Sequence, residues 1–255
     1  MIKGMENIIE VRDLRKSFKV KRDRHEVLKG VNFSVKRGQC FALLGSNGAG
    51  KTTIVKILAT LAIMDAGDIK VCGFDLQKQP GKVREVISLT GQYAAVDEML
   101  TARENLVLVA KLRHLKDYTQ RIDELLELFE LTKSANKLVK TYSGGMRRKT
   151  DIAMSLLGDP QIIFLDEPTT GLDPQSRLKL WDLIRELKSQ GKTIFLTTQY
   201  LEEAEALADY VAVLDGGVIA AQGTLAELKG SMQEKEMPTL QDVFLSVVNK
   251  EGGGK

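Results

Sequence analysis

The chain has 255 residues, 43% of them hydrophobic and 28% charged, an ordinary globular composition that can bury one substantial core with a smaller attached unit. Its formal charge of +3 is too small to imply a nucleic-acid or membrane surface. Two cysteines, Cys40 and Cys72, outside any CxxC or Cys/His cluster, and two isolated histidines, His25 and His114, exclude a disulfide scaffold, a zinc site and a Ser/His triad.

The start, MIKGMENIIEVRDLRK, has no apolar core of signal-peptide length, and no segment approaches the roughly 18 apolar residues of a membrane span. The cysteines read as reduced core residues of a cytoplasmic protein, and the histidines as surface or structural residues. IIEVRDL and VNFSV read as extended segments of an antiparallel edge sheet. QCFALL (39–44), IIFL (162–165) and TIFLTT (193–198) are short apolar runs, each followed by a turn and a helical pattern, which predicts a parallel sheet covered by helices.

Between about 92 and 157 the pattern turns helical, as for a subdomain inserted into the sheet domain. Thr101 and Glu104 make a capping box before LVLVAKL, and a long amphipathic run continues through IDELLELFEL. VAVLDGGVIAAQG (211–223), with Asp215-Gly216 at its centre, predicts a hairpin. The tail after about 225 opens with a second capping box, Thr224 to Glu227. It continues through polar SMQEKEMP and a short helix, TLQDVFLSVV, and GGGK is expected to be disordered.

The strongest chemical signal is GSNGAGKT, Gly45 to Thr52, between the strand CFALL and the helical TIVKILATL. In G-x-x-x-x-G-K-[ST] the glycines let successive backbone N–H groups turn inward around a phosphate, and the helix N-terminus adds its dipole. Gly45, Ser46, Asn47, Gly48, Ala49, Gly50, Lys51, Thr52 and Thr53 are therefore expected to bind a nucleotide, with Lys51 neutralising the β and γ phosphates and Thr52 binding Mg²⁺. IIFLDEP ends an apolar run with adjacent carboxylates, which burial tolerates only beside a cation or a reacting water. Side-chain alternation along a strand should point the two apart. Asp166 suits an outer-shell contact to Mg²⁺ and Glu167 a general base for the attacking water. YSGGMRRK (142–149) opens a helix with Ser143 as N-cap, while Gly144 and Gly145 permit close backbone approach, making a second anion-holding helix N-terminus.

GSNGAGKT, YSGGM, IIFLDEP and TGLDP, in this order, resemble the nucleotide-binding subunit of an ABC transporter over residues 6–225. The resemblance implies an α/β fold: a P-loop NTPase core with a parallel, RecA-like sheet, an N-terminal antiparallel β subdomain and an inserted helical subdomain. It also implies a head-to-tail homodimer or heterodimer of ATPase subunits, in which Ser143, Gly144 and Gly145 of one subunit close over the γ-phosphate held by the other. Phe18 matches the aromatic that stacks on adenine. Gln92 matches the glutamine that reaches Mg²⁺ and water and senses the membrane partner, and Asp173 the loop aspartate that crosses the interface. Residues 93–103 would help form the groove that receives the permease.

Two positions depart from the family pattern: Met146 replaces a glutamine, and Gln199, in TTQYLEEA, replaces the usual switch histidine. Glutamine keeps a hydrogen-bond donor but cannot become cationic, so Gln199 is expected to position the γ-phosphate while Glu167 does the base chemistry.

GQYAAVDEMLTARENL, TTQYLEEA and TLQDVFLSVV resemble the daunorubicin-resistance-like drug exporters, which are close to the ATPase domains of lipid-exporting ABC proteins. In that branch a separate transmembrane permease is the partner, which implies an ATPase in the cytoplasm, peripheral on the inner face of the cell membrane. The tail is too short to resemble a large regulatory domain. The alternative, a soluble ABC-type ATPase switch on nucleic acid or ribosomes, usually has tandem ATPase units or a long coiled coil, and this sequence has neither. A module that holds ATP without turnover, suggested by Met146 and Gln199, is opposed by the presence of Lys51, Asp166 and Glu167.

Overall fold

Alternating apolar residues near the N-terminus build two long antiparallel strands, β1 (Asn7–Val20) and β2 (Asp23–Lys36), with Val11 opposite Phe33 and Ile9 opposite Val35. The structure is a computed structural model that describes residues 7–20, 23–231 and 238–248. Expectations for residues 1–6, for the polar stretch 232–237 and for GGGK lie outside the described residues.

The wholly buried β3 (Cys40–Leu44) leads through a loop into α1 (Lys51–Leu58). β4 (Ala66–Val71) and β5 (Phe74–Asp75) return to β1 and complete a four-stranded sheet in the order β2-β1-β4-β5. α2 (Pro80–Val86) delivers the chain to β6 (Ile87–Thr90). Three α-helices follow before the next strand: α3 (Ala102–Leu112), α4 (Tyr118–Leu128) and α5 (Gly144–Ser155). The chain then alternates through β7 (Ile162–Asp166), α6 (Pro174–Ser189), β8 (Thr193–Thr198), α7 (Leu201–Leu207) and β9 (Tyr210–Asp215). β10 (Val218–Gly223), α8 (Leu225–Gly230) and α9 (Leu240–Val248) end the described chain.

The second sheet has the order β10-β9-β3-β8-β7-β6, parallel throughout except for the β9-β10 hairpin. The central strands β3, β7 and β8 are buried on both faces, which is why they read as unbroken apolar runs. On β3, Phe41 and Leu43 face the core shared with α1 and the antiparallel sheet. Cys40, Ala42 and Leu44 face the core shared with α5, α6 and α7. Phe41 stacks on Phe33 at 5.2 Å between centroids and on Phe195 at 5.1 Å, which fastens the two sheets together. Because β3, β8, β7 and β6 are successive neighbours, the loops after all four emerge along one edge of the sheet.

Both capping boxes, at Thr101 and Thr224, form with both hydrogen bonds. The long amphipathic run expected after Thr101 is broken: α3 ends at Leu112 and α4 starts at Tyr118. The intervening turn places His114 and Asp117 at positive φ, 54° and 49°, which apolar periodicity does not register. Cys40 is a core residue whose thiol burial pushes up to about 12, so it stays neutral. Cys72 is only half-buried, at φ 51° in the turn between β4 and β5, which corrects its expected place in the core. His25 and His114 are exposed.

Candidate functional site

The loop after β3 is anchored to the neighbouring strand by the Gly45 N–H, which donates to the Thr198 carbonyl at 3.2 Å. Gly50 precedes α1 at φ 111°, and a Cβ there would meet Leu28 Cδ2 at 2.8 Å, so this position requires glycine. No side chain caps α1. Its first-turn amides and the positive end of its dipole are therefore available to an anion. Buried Lys51 folds back over the loop, donating from Nζ to the carbonyls of Gly45 at 2.8 Å and Ser46 at 3.0 Å.

Asp166 is the last residue of β7, and its Oδ1 accepts from Thr52 Oγ1 at 3.3 Å and from Thr197 Oγ1. Glu167 is not the next step of a regular strand. Its φ is 47°, and its N–H donates to Thr197, to the carbonyl at 3.2 Å and to Oγ1 at 3.1 Å. A left-handed turn, and not strand alternation, therefore separates the two carboxylates. Glu167 Oε1 lies 3.3 Å from Lys51 Nζ, and Oε2 accepts from Thr170 Oγ1 at 3.3 Å.

These groups surround one cavity of about 520 Å³, lined by Asn47, Gly48, Gly50, Lys51, Thr52, Thr53, Gln92, Glu167, Thr170, Gln199 and Val27. Segments distant in sequence meet there because they follow neighbouring strands. Gly45 and Ala49 lie buried under the loop, Ser46 is exposed, and Asp166 stands behind Thr52. Val27, Thr170 and Thr197 were not picked out from the sequence. The polar threonines in EPTTGLD and TIFLTT were the available signal for two of them, and Val27 carried none.

Phe18 stands apart from the cavity lining, 43% exposed on β1, with Lys16 Nζ 5.3 Å from its ring centroid. Ser143, Gly144, Gly145 and Asp173 also lie outside the lining and form a second feature. Ser143 caps α5 by accepting from the Met146 N–H at 3.3 Å. Asp173 caps α6, accepting from the Ser176 N–H at 3.0 Å and from the Ser176 hydroxyl, which holds its carboxyl below the usual range. The two helix starts pack closely, since a Cβ on Gly145 would come within 2.7 Å of Ser176 Oγ.

A buried carboxyl lies on α7, four residues after Gln199. Glu203 is fully buried on α7 and accepts from Trp181 Nε1 at 3.0 Å, and burial pushes its carboxyl upward. Thr52 and Asp166 offer a hydroxyl and a carboxylate side by side, and Gln92 lines the same cavity. Among the described residues no group of three His, Cys, Asp or Glu side chains could hold a metal alone. One carboxylate and one hydroxyl fit Mg²⁺, which keeps water and phosphate oxygens as its other ligands.

Residues 28–170 match the ABC transporter family. The daunorubicin resistance ATP-binding protein DrrA3 of Streptomyces coeruleorubidus is 50% identical over 206 residues, covering 80% of this chain and 65% of that protein. The Nod factor export ATP-binding protein I of Ralstonia nicotianae is 41% identical over 227 residues, 88% of this chain and 70% of that protein. The chain thus spans just under two thirds of the length of the drug-resistance relatives, 62% to 65%. Among solved structures, the ATP-binding cassette MJ0796, dimeric in a post-hydrolysis state with ADP and Pi, superposes with a TM-score of 0.77 at 25% identity. It covers 85% of this chain and 98% of that one. With the matched segment running from the antiparallel sheet through the phosphate loop and the acidic strand to Thr170, the chain belongs to the ABC transporter family and carries its ATPase cassette.

Proposed function

We propose that the chain is the MgATP-hydrolysing subunit of an exporter of drugs or other hydrophobic molecules. The observation that carries this reading is the convergence of Lys51, the Thr52–Asp166 pair and Glu167 on one cavity beside the uncapped N-terminus of α1. Phosphoryl transfer needs positioning and charge neutralisation more than covalent chemistry. The loop amides and Lys51 hold the phosphates, Glu167 accepts the proton of the attacking water, and Gln199 holds the γ-phosphate by hydrogen bonding. Thr52, Asp166 and Gln92 would hold Mg²⁺, which supplies charge neutralisation across the phosphate oxygens.

Two copies, or this chain and a similar subunit, build the complete site. Ser143, Gly144, Gly145 and Asp173 stand outside their own chain's cavity, so we assign them to the nucleotide held by the other subunit, with Phe18 against the adenine. A groove of about 410 Å³ between the sheet domain and the helices after β6, lined by Leu61, Ile87, Leu89, Ala95 and Val109 among others, suits an apolar segment of a separate permease. Exposed Leu61, Ile63 and Tyr93 extend the same apolar character. This docking would place the chain on the cytoplasmic face of the membrane. Export draws its support from the names of the relatives and from the Gln199 segment. Affinity capture of the tagged chain from detergent-solubilised membranes tests the proposal: co-purification of a multispanning protein supports it, and recovery with RNA or DNA and no membrane protein overturns it.

A further inference from the structure

One buried charge pair has no part in the chemistry above. Arg148 and Asp151, one helical turn apart on α5, approach to 3.5 Å with side chains only 6% and 7% exposed. Arg148 Nη1 also donates to the carbonyl of Gly91, and Nη2 to the carbonyl of Asp166 at 3.4 Å. Asp151 Oδ1 accepts from the N–H of Ala95 at 3.1 Å. Both ends of the segment 91–95 are thus tied to one ion pair, and Gln92 lies between the ties. The same pair reaches the backbone of the residue bonded to Thr52, and Asp151 forms part of the wall of the groove assigned to the permease.

Fold stability does not account for charges here. Desolvating two charges offsets much of their attraction, and well-packed apolar residues of similar volume commonly hold a helix against a sheet as well or better. Burial opposes ionisation of both groups, while the carboxylates of Asp151, Asp166 and Glu203 surround the guanidinium and favour its charge. What an apolar pair cannot replace is the set of bonds to Gly91, Ala95 and Asp166.

We propose that Arg148 and Asp151 are positioning residues that register the Gln92 loop against the strand bearing Asp166, so that displacement of the groove wall at Asp151 reaches Gln92. This rests on the ATPase reading above. The test uses the full chain as Asp151→Asn and as the apolar double variant Arg148→Met/Asp151→Leu. Amide hydrogen exchange of residues 91–97 is measured with and without MgATP, alongside melting temperature and, where the wild type turns over, kcat and KM.

In both variants we expect exchange at 91–97, above all at the Ala95 amide, to rise at least tenfold, with α1 and β7 unchanged. We also expect kcat to fall at least tenfold while KM for MgATP stays within about twofold. The double variant should recover the melting temperature without recovering either quantity. Wild-type exchange at 91–97 in the folded double variant, or kcat restored together with the melting temperature, would show the pair to be structural only and overturn the proposal. A wild type that binds no MgATP would instead defeat the ATPase reading, while the exchange comparison without nucleotide still decides the role of the pair.

Discussion

Lys51 Nζ lies 3.3 Å from Glu167 Oε1, with the two side chains only 3% and 9% exposed, so the proposed phosphate-binding cation and the proposed base hold one another inside the cavity. Their roles separate on substitution. Glu167→Gln keeps an oxygen for Lys51 and Thr170 but loses basicity, so kcat should fall by about 100-fold or more with the Kd for MgATP within about threefold. Lys51→Ala removes the cation that meets the phosphates and leaves Glu167 buried without its partner, so it should weaken nucleotide binding at least tenfold. Equilibrium binding of a fluorescent ATP analogue beside steady-state turnover checks both.

Gln199 lines the same cavity as Lys51 and Glu167. If it positions phosphate by hydrogen bonding, Gln199→His should leave kcat within about tenfold, equivalent to about 1.4 kcal/mol, while Gln199→Ala should lose more than that. Full activity in the alanine variant would remove Gln199 from the mechanism.

Gly145 packs where a Cβ would approach Ser176 Oγ to 2.7 Å and Ser176 Cβ to 2.9 Å, and that serine holds the Asp173 cap. Gly145→Ala should therefore destabilise by about 1–3 kcal/mol through overpacking. At about 2–4 °C per kcal/mol for a chain of this size, calorimetry should resolve the drop in melting temperature.

Glu203 yields a pH signature. Its native carboxyl titrates above the ordinary glutamate range because it is buried. Between that ordinary range and its native value the folded chain holds a proton that the unfolded chain has released, so this group's contribution to stability falls as pH rises. Glu203→Gln removes the contribution while keeping an acceptor for Trp181. Relative to the wild type, its melting temperature should gain from pH 5 to pH 8. A difference that stays constant across that range would mean that Glu203 is not a source of the pH dependence.

The phosphate loop was legible because strand, glycines, lysine and helix are contiguous, and the adjacent carboxylates because an apolar run ended on them. The aim of Glu167 was not. A left-handed residue after β7 cannot be read from an acidic pair in sequence, and alternation suggested a different reason for the divergence. Phe18, which the family resemblance marks as an adenine contact, has its ring beside Lys16 outside the cavity lining, where pairing between two strands sets its place. Nothing in RRKTD marks Arg148 and Asp151 as buried, although the apolar Ile152 on the same helix gives a faint sign of an inward face. Their bonds to Gly91 and Ala95 reach residues more than fifty positions away in chain order, which local pattern cannot supply.

The composite two-subunit ATPase site is the central claim, and Mg²⁺-dependent ATP hydrolysis by the purified chain, measured across protein concentration with Glu167→Gln as control, tests it most directly. Activity per chain should rise with concentration as subunits pair, and should vanish in the control. Activity per chain that is independent of concentration in an ultracentrifugally monomeric sample would contradict it, as would equal activity in the Glu167→Gln control.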